Sequence, residues 1–99
     1  MPIAGTTYNI CMIFEYDPAK AQTNWQKHGV SFAEAELVFF DPLAIQDVDP
    51  DSIDEERFIT VGIGNSGRLL VVVYTMRSGT VRLISARLAT RQEAKAYEE

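Results

Sequence analysis

The stretch RFITVGIGNSGRLLVVVYTMRSGTVRLISAR, residues 57–87, decides the fold. It holds three runs rich in β-branched and aromatic residues, at 57–64, 69–76 and 80–87, and this composition favours strands. Asn65-Ser66-Gly67 and Ser78-Gly79 separate the runs, and both are typical of tight hairpin turns. The segment therefore predicts an antiparallel meander of three strands.

Two helices are predicted before this meander. Asp17-Pro18 supplies an N-cap and a first-turn proline, and Gly29 is suited to the left-handed position after a helix that ends at residue 28. Ser31 and Glu34 have the spacing of a capping box, which opens a second helix that stops at Asp41-Pro42. The chain upstream of the meander thus predicts a helical pair.

Two further strands and a last helix complete the expected order. Residues 7–16 and 43–46 are rich in apolar and β-branched side chains and are predicted to be strands. Thr90 and Glu93 form a second capping box, which opens a helix towards Tyr97. We therefore expect a single α+β domain over 13–99, with the order β-α-α-β-β-β-β-α and helices packed on an antiparallel meander. Residues 1–12 are expected to be an extension that can add a strand.

The turns also predict a register for the meander. The facing pairs are Thr75 with Arg82, Val73 with Ile84, and Arg57 with Tyr74. One sheet face would then pack under the helices, and it carries Ile59, Val61, Leu70, Val72, Met76, Val81 and Leu83. The other face carries Phe58, Thr60, Gly62, Val71, Val73, Thr75, Arg77, Arg82, Ile84 and Ala86. A slip of one residue would invert this assignment.

Composition narrows the classes of function. The single Cys and single His exclude an internal disulfide and a Cys/His zinc cluster, and they suit a reducing cytoplasm. The net charge is −5, but the negative charges concentrate at 41–56, whereas from Arg57 to Tyr97 basic residues outnumber the single acidic Glu93. The C-terminal half can therefore present a basic face, and the acidic run is either a solvated loop or covers that face.

Several segments stand out by their order and spacing: FEYDPAK at 14–20, KHGVSF at 27–32, DPL at 41–43, ERF at 56–58, RLLV at 68–71 and RLISAR at 82–87. Together they resemble one family, the BrnT toxins of bacterial type II toxin–antitoxin systems. The resemblance runs from Phe14 to the C-terminus and implies a RelE-like α+β fold. It also implies RNA cleavage and neutralisation by a ribbon-helix-helix antitoxin. Because the family pattern begins just before Phe14, residues 1–12 are an extension to it.

RNA cleavage without a metal or cofactor needs groups that stabilise phosphoryl oxygens and move protons. Together with the resemblance to the BrnT family, this chemical requirement identifies five candidate catalytic residues: Lys27, His28, Arg57, Arg77 and Arg82. Arg87 and Tyr97 are the candidates for substrate binding, because arginine grips phosphate and tyrosine stacks on bases. The alternatives are solvated surface roles for the basic residues, a helix-ending role for His28 and packing on the sheet for Tyr97.

Three functions remain open at this point. The first is an endoribonuclease toxin that cleaves mRNA, on the ribosome or free, and so inhibits translation. The second is a non-catalytic partner that acts with the antitoxin in an operon-repressing complex. The third is a general small-molecule or peptide-binding domain. The first two require an antitoxin, with a homodimer or a toxin–antitoxin heterotetramer as expected assemblies, and neither requires a membrane.

Overall fold

The first helix begins and ends where the local signals predict. In the computed structural model, which describes residues 12–99, the Asp17 side chain accepts a hydrogen bond from the Ala19 amide at 2.9 Å. Gly29 ends the helix with φ +66°, a backbone conformation that is unstrained only without a side chain. The predicted extension 1–12 lies outside the described residues except for Met12.

The predicted order of elements is confirmed for the described residues. The elements are β1 Ile13–Glu15, α1 Pro18–His28, α2 Phe32–Val38, β2 Ile45–Val48, β3 Phe58–Ile63, β4 Leu69–Arg77, β5 Thr80–Leu88 and α3 Arg91–Glu98. Within residues 12–99 no helix is long and apolar enough to cross a membrane. The fold is α+β, as the sequence predicts.

The two predicted capping boxes have different outcomes. At α3 the box is complete, because Thr90 accepts from the Glu93 amide and the Glu93 carboxylate accepts from the Thr90 amide. At α2 only half of it forms: Ser31 accepts from the Glu34 amide at 3.0 Å, while the Glu34 side chain turns to Arg68 at 2.7 Å. An arginine brought close by the meander therefore outcompetes the local backbone amide for this carboxylate.

The sheet has five strands in the order β1-β5-β4-β3-β2. Three neighbouring pairs are antiparallel and form the predicted meander. The fourth pair, β1 with β5, is parallel, so the sheet is mixed at one edge. The parallel pairing is possible because the two helices carry the chain across the sheet between β1 and the meander.

The predicted register is one residue off in the first hairpin and interrupted in the second. Tyr74 faces Phe58 instead of Arg57, because the loop has three residues and Gly67 takes φ +80°. Beyond the Ser78-Gly79 turn Thr75 faces Arg82 as predicted, but Val73 faces Ser85. Ile84 is therefore the extra residue of a β-bulge.

The shift inverts the predicted faces of β3. Thr60, not Ile59 or Val61, is fully buried on the helix side, and a Cβ on Gly62 would lie 2.9 Å from Val38 of α2. The bulge likewise turns Ala86 inward, although it was predicted to face outward. The core under the helices consists of Val30, Phe32, Ala35, Val38, Leu70, Val72, Tyr74, Val81, Leu83 and Ala86.

Asn24 fixes α1 against the edge of the sheet. β1 covers only the first residues of β5, from Thr80 to Arg82, so the edge beyond them needs another partner. The Asn24 amide accepts from the Ala86 N–H at 3.0 Å and donates to the Ala86 carbonyl at 2.8 Å. It also donates to the Val30 carbonyl at 3.0 Å. This buried side chain therefore takes the place of a neighbouring strand.

Candidate functional site

Three of the predicted catalytic arginines meet on the open face, the sheet face opposite α2. Arg82 of β5 faces Thr75 of β4 in the ladder. Arg57 directly precedes β3, and because Phe58 faces Tyr74, Arg57 lies beside Thr75. Arg77 follows two residues after Thr75 and so points to the same face. The structure therefore gathers Arg57, Arg77 and Arg82 around the end of β4.

Each of these three guanidinium groups is paired with a carboxylate. Arg77 makes a two-pronged contact with Glu55, at 3.0 and 3.1 Å. The two remaining pairs are Arg57 with Asp49 at 3.3 Å and Arg82 with Glu15 at 3.2 Å. The side chains of the Arg77 and Arg82 pairs are partly exposed, so water screens these two pairs and each contributes little to stability. Asp49 is buried, so its pair with Arg57 is screened less.

The pKa shifts of Glu55 and Arg77 link the Arg77 pair to the Arg82 pair. The hydrogen bond from Arg77, its charge and the charge of Arg82 lower the pKa of Glu55 below its ordinary value. The hydrogen bond to Glu55, the charge of Glu55 and the charge of Glu15 raise the pKa of Arg77. Glu55 and Arg77 thus each respond to a charge on a further element as well as to each other.

The acidic loop, residues 49–56, covers part of the basic cluster. Asp49 and Glu55 hold Arg57 and Arg77 as described, and the Asp51 carbonyl accepts from Arg57 at 3.4 Å. Of the two alternatives that the sequence leaves open, these contacts favour the loop that covers the basic face. In this conformation the loop carboxylates bind the guanidinium groups that a phosphate would otherwise bind.

Lys27 and His28 do not join the arginine cluster but line a neighbouring cavity. Both line a cavity of about 300 Å³ that runs along α1 from Ala19 to His28 and is lined on the side of β5 by Ile84 and Ser85. Ile84 also lines a second cavity, which contains Arg57 and Thr75. The bulged residue therefore separates the Lys27 and His28 side chains from the arginine cluster, and bulges often re-aim side chains next to active sites.

Arg87 is placed further along β5. Its guanidinium makes a two-pronged contact with Glu93 of α3, at 2.9 Å for both oxygens. The hydrogen bond from Arg87 is the main cause that lowers the pKa of Glu93, to about 2. In this conformation the pair holds α3 to the sheet, and substrate binding by Arg87 stays a prediction.

Tyr97 is placed at the opposite end of β3 from Arg57. Its hydroxyl donates to Asp41 at 2.6 Å, and Asp41 also accepts from the amides of Ile63 and Leu43. The hydrogen bond to Asp41 raises the pKa of Tyr97. Substrate binding by Tyr97 also stays a prediction, and the structure does not bring it to the arginine cluster.

Sequence reasoning missed four polar residues that shape this region: Glu15, Asp49, Glu55 and Thr75. The Thr75 hydroxyl is buried and has no hydrogen-bond partner within the described residues. The carboxylates gave no local signal, because their partners lie on other elements of the fold. Within residues 12–99 no three His, Cys, Asp or Glu side chains converge to hold a metal ion.

Comparisons with known proteins agree on one family. The family model "Ribonuclease toxin, BrnT, of type II toxin-antitoxin system" matches residues 16–93. The crystal structure of the Brucella abortus ribonuclease toxin BrnT is similar, with 27% sequence identity and a TM-score of 0.61, and the match covers 82% of this chain and 100% of that one. No curated protein matches the sequence. The resemblance expected from the sequence is thus confirmed, and this chain belongs to the BrnT family of ribonuclease toxins of type II toxin–antitoxin systems.

Proposed function

We propose that this chain is an endoribonuclease that cleaves mRNA and thereby inhibits translation. The observation that carries the proposal is the convergence of Arg57, Arg77 and Arg82 on one face, next to the cavity that holds Lys27 and His28. Family membership supplies the reaction class, because the family is one of ribonuclease toxins. The arginine cluster supplies the electrostatics that phosphodiester cleavage requires.

In the proposed reaction the 2′-hydroxyl of RNA loses its proton to a water molecule and attacks the adjacent phosphorus, the bond from phosphorus to the 5′-oxygen breaks, and a 2′,3′-cyclic phosphate forms. Guanidinium groups remain charged at neutral pH and bind two phosphoryl oxygens at once, so the three arginines stabilise the charge that develops there. His28 protonates the leaving oxygen, since imidazole is the side chain suited to proton donation near neutral pH. Lys27 binds a flanking phosphate. The strand of RNA would follow β5 from Arg82 past Ile84.

The proposed partners follow from the toxin–antitoxin class. We propose a ribbon-helix-helix antitoxin that covers the open face with an acidic or amphipathic segment, because opposite charge favours docking on the arginines. We propose that the chain acts in the cytoplasm, where mRNA and ribosomes are found. A homodimer or a toxin–antitoxin heterotetramer stays the expected assembly.

One observation favours a second candidate, a non-catalytic subunit of an operon-repressing complex. All three arginines of the cluster pair with carboxylates of the same chain. If these pairs never open, RNA cannot reach the guanidinium groups, and the chain would act only through its antitoxin. The two candidates predict different behaviour of the free protein.

Induced expression in bacteria distinguishes the two candidates. We expect growth arrest from the wild type, rescue by co-expression of the antitoxin, and normal growth with Arg77→Ala. Arg91→Ala is the matched control, because Arg91 is an exposed arginine at the start of α3, away from the cluster. Growth without arrest by soluble wild-type protein would contradict the enzyme and favour the non-catalytic subunit.

A further inference from the structure

A cavity of about 280 Å³ lies on the open face under the acidic loop. The sheet supplies its floor and one arginine stands at its side, while the loop forms the remaining wall. The lining residues are Arg57, Thr75, Ile84, Asp51, Ile53 and Glu55. The cavity therefore has hydrogen-bond donors on the sheet side and carboxylates on the loop side.

Thr75 is the feature of this cavity that the fold itself does not use. The residue is 2% exposed, and its Oγ1 forms no hydrogen bond with any described residue. Buried hydroxyl groups in folded proteins almost always have a partner. Thr75 lines the cavity, and its hydroxyl is closed to solvent in this conformation, so it can donate to an anion only once the loop moves aside.

The loop carboxylates stand where such an anion would bind. Glu55 contacts Arg77 with both oxygens, and a carboxylate and a phosphate share this two-oxygen contact with guanidinium. The side chains of Arg77 and Glu55 are 54% and 46% exposed. This pair is therefore solvated and easily replaced by another anion.

The loop is tied down at its base and weakly held at its tip. At the base the Asp49 amide donates to the Arg57 carbonyl at 2.8 Å, and the Arg57 amide donates to Ser52 Oγ at 3.1 Å. Nearer the tip, Ile53 is 80% exposed and contributes little buried apolar surface. The Glu55 end of the loop can therefore move while the base stays closed.

We propose that this cavity binds one phosphate of the RNA backbone, with Arg57 and the Thr75 hydroxyl as donors, and that Glu55 occupies the anion position in the free chain. Arg77 becomes a third donor when the phosphate displaces Glu55. The choice of RNA as ligand rests on the proposed function, whereas the competition between Glu55 and the anion does not. The acidic loop thus sets how strongly the free chain binds RNA.

The test measures binding of a 2′-O-methyl RNA oligonucleotide, which cannot be cleaved by attack of its 2′-oxygen. Fluorescence anisotropy compares the wild type with Glu55→Gln, and with Glu56→Gln as the matched control. Both variants remove one negative charge from the same loop, but only Glu55 contacts an arginine of the cluster. We expect Glu55→Gln to bind about three- to fivefold more tightly, and Glu56→Gln to change the affinity by less than about twofold at physiological salt.

Thr75 is tested in the Glu55→Gln background. Thr75→Val should weaken binding about fivefold, because one hydrogen bond to the phosphate is lost. Thr75→Ser keeps the hydroxyl and should retain tight binding, and circular dichroism verifies the fold of each variant. Equal affinity of the Thr75→Val and Thr75→Ser variants would overturn the assignment of the hydroxyl.

Two further outcomes separate this inference from the proposed function. If the wild type cleaves unmodified RNA but Glu55→Gln and Glu56→Gln bind the oligonucleotide equally, the proposed phosphate position under the loop is wrong, and the proposal that the chain is an endoribonuclease is supported. If Glu55→Gln binds more tightly but neither the wild type nor any variant cleaves RNA, the proposed phosphate position is supported and the proposed endoribonuclease activity is refuted. Failure of every variant to bind the oligonucleotide overturns the inference.

Discussion

Replacement of Asn24 by Ala should be among the most destabilising single changes in α1. The side chain makes three buried hydrogen bonds, two with the backbone of Ala86 and one with the Val30 carbonyl. Each contributes about 1 kcal/mol net, and the Ala86 N–H left unpaired costs a further 1–3 kcal/mol or so. The better helix propensity of Ala returns roughly 0.6 kcal/mol. The expected loss is therefore about 4 kcal/mol in the free energy of unfolding.

Urea and thermal unfolding followed by circular dichroism measure this loss. For a chain of this size, about 4 kcal/mol corresponds to a decrease of roughly 16–32 °C in Tm. Gln26→Ala, on the exposed side of the same helix, is the control and should change stability by less than about 0.5 kcal/mol. A loss below about 1 kcal/mol for Asn24→Ala would refute the idea that this amide substitutes for a strand.

Three further predictions concern the ends of the sheet. Gly64→Ala should cost about 1–3 kcal/mol in urea unfolding, because its Cβ would lie 2.6 Å from the Cγ of Glu34, whose carboxylate Arg68 holds in place; unchanged stability would show that Glu34 can move. Tyr97→Phe should lower the free energy of unfolding slightly, because the hydrogen bond to Asp41 is lost; weaker RNA binding at full stability would support the predicted substrate-binding role of Tyr97, and unchanged RNA affinity would contradict it. The folded-state pKa of Glu93 is about 2, below its ordinary value of 4.5, so its stabilisation is complete above pH 5 and is lost as the pH falls towards 2. Glu93→Gln should thus be about 1 kcal/mol less stable than the wild type at pH 6, with a difference that shrinks in acid; a constant difference would contradict the lowered pKa.

The features of the fold that sequence predicted are those set by neighbouring residues. Asp17-Pro18, Gly29 and the Thr90–Glu93 capping box mark helix ends because their hydrogen bonds span at most four residues. The three strand runs are equally local, since their composition alone favours the extended backbone. Tertiary structure changed the bounds of these elements by only a few residues.

The register and the faces of the sheet depended on choices that the sequence does not fix. Asn65-Ser66-Gly67 is compatible with a two-residue or a three-residue turn, and the three-residue form moved β3 by one position. The bulge at Ile84 has no sequence signature, because Ile is an ordinary strand residue. Together these two features reversed the predicted orientation of Ala86 and of every β3 residue.

The basic residues of the candidate site could be predicted from the sequence, but the carboxylates that pair with them could not. Arg77 and Arg82 were predicted to lie on one sheet face, so their convergence followed from the predicted fold. The predicted register placed Arg57 opposite Tyr74 and therefore on the other face, and only the three-residue turn brings it beside Thr75. The carboxylates that neutralise Arg77 and Arg82 come from the acidic loop and from β1, which are 22 and 67 residues away in sequence. Only the folded chain shows that Glu55, in a run of similar acidic residues, is the one in contact with Arg77.

The most direct test of the central claim is cleavage of an end-labelled mRNA by the purified chain in the presence of a metal chelator. We expect cleavage by the wild type, with fragments that end in a 2′,3′-cyclic phosphate. We also expect a rate about 100-fold lower for folded Arg82→Ala, because one donor to the developing charge is removed, and an unchanged rate for Arg91→Ala. Intact RNA with the wild type, or equal rates for Arg82→Ala and Arg91→Ala, would contradict the assignment of the arginine cluster as an RNA-cleaving site.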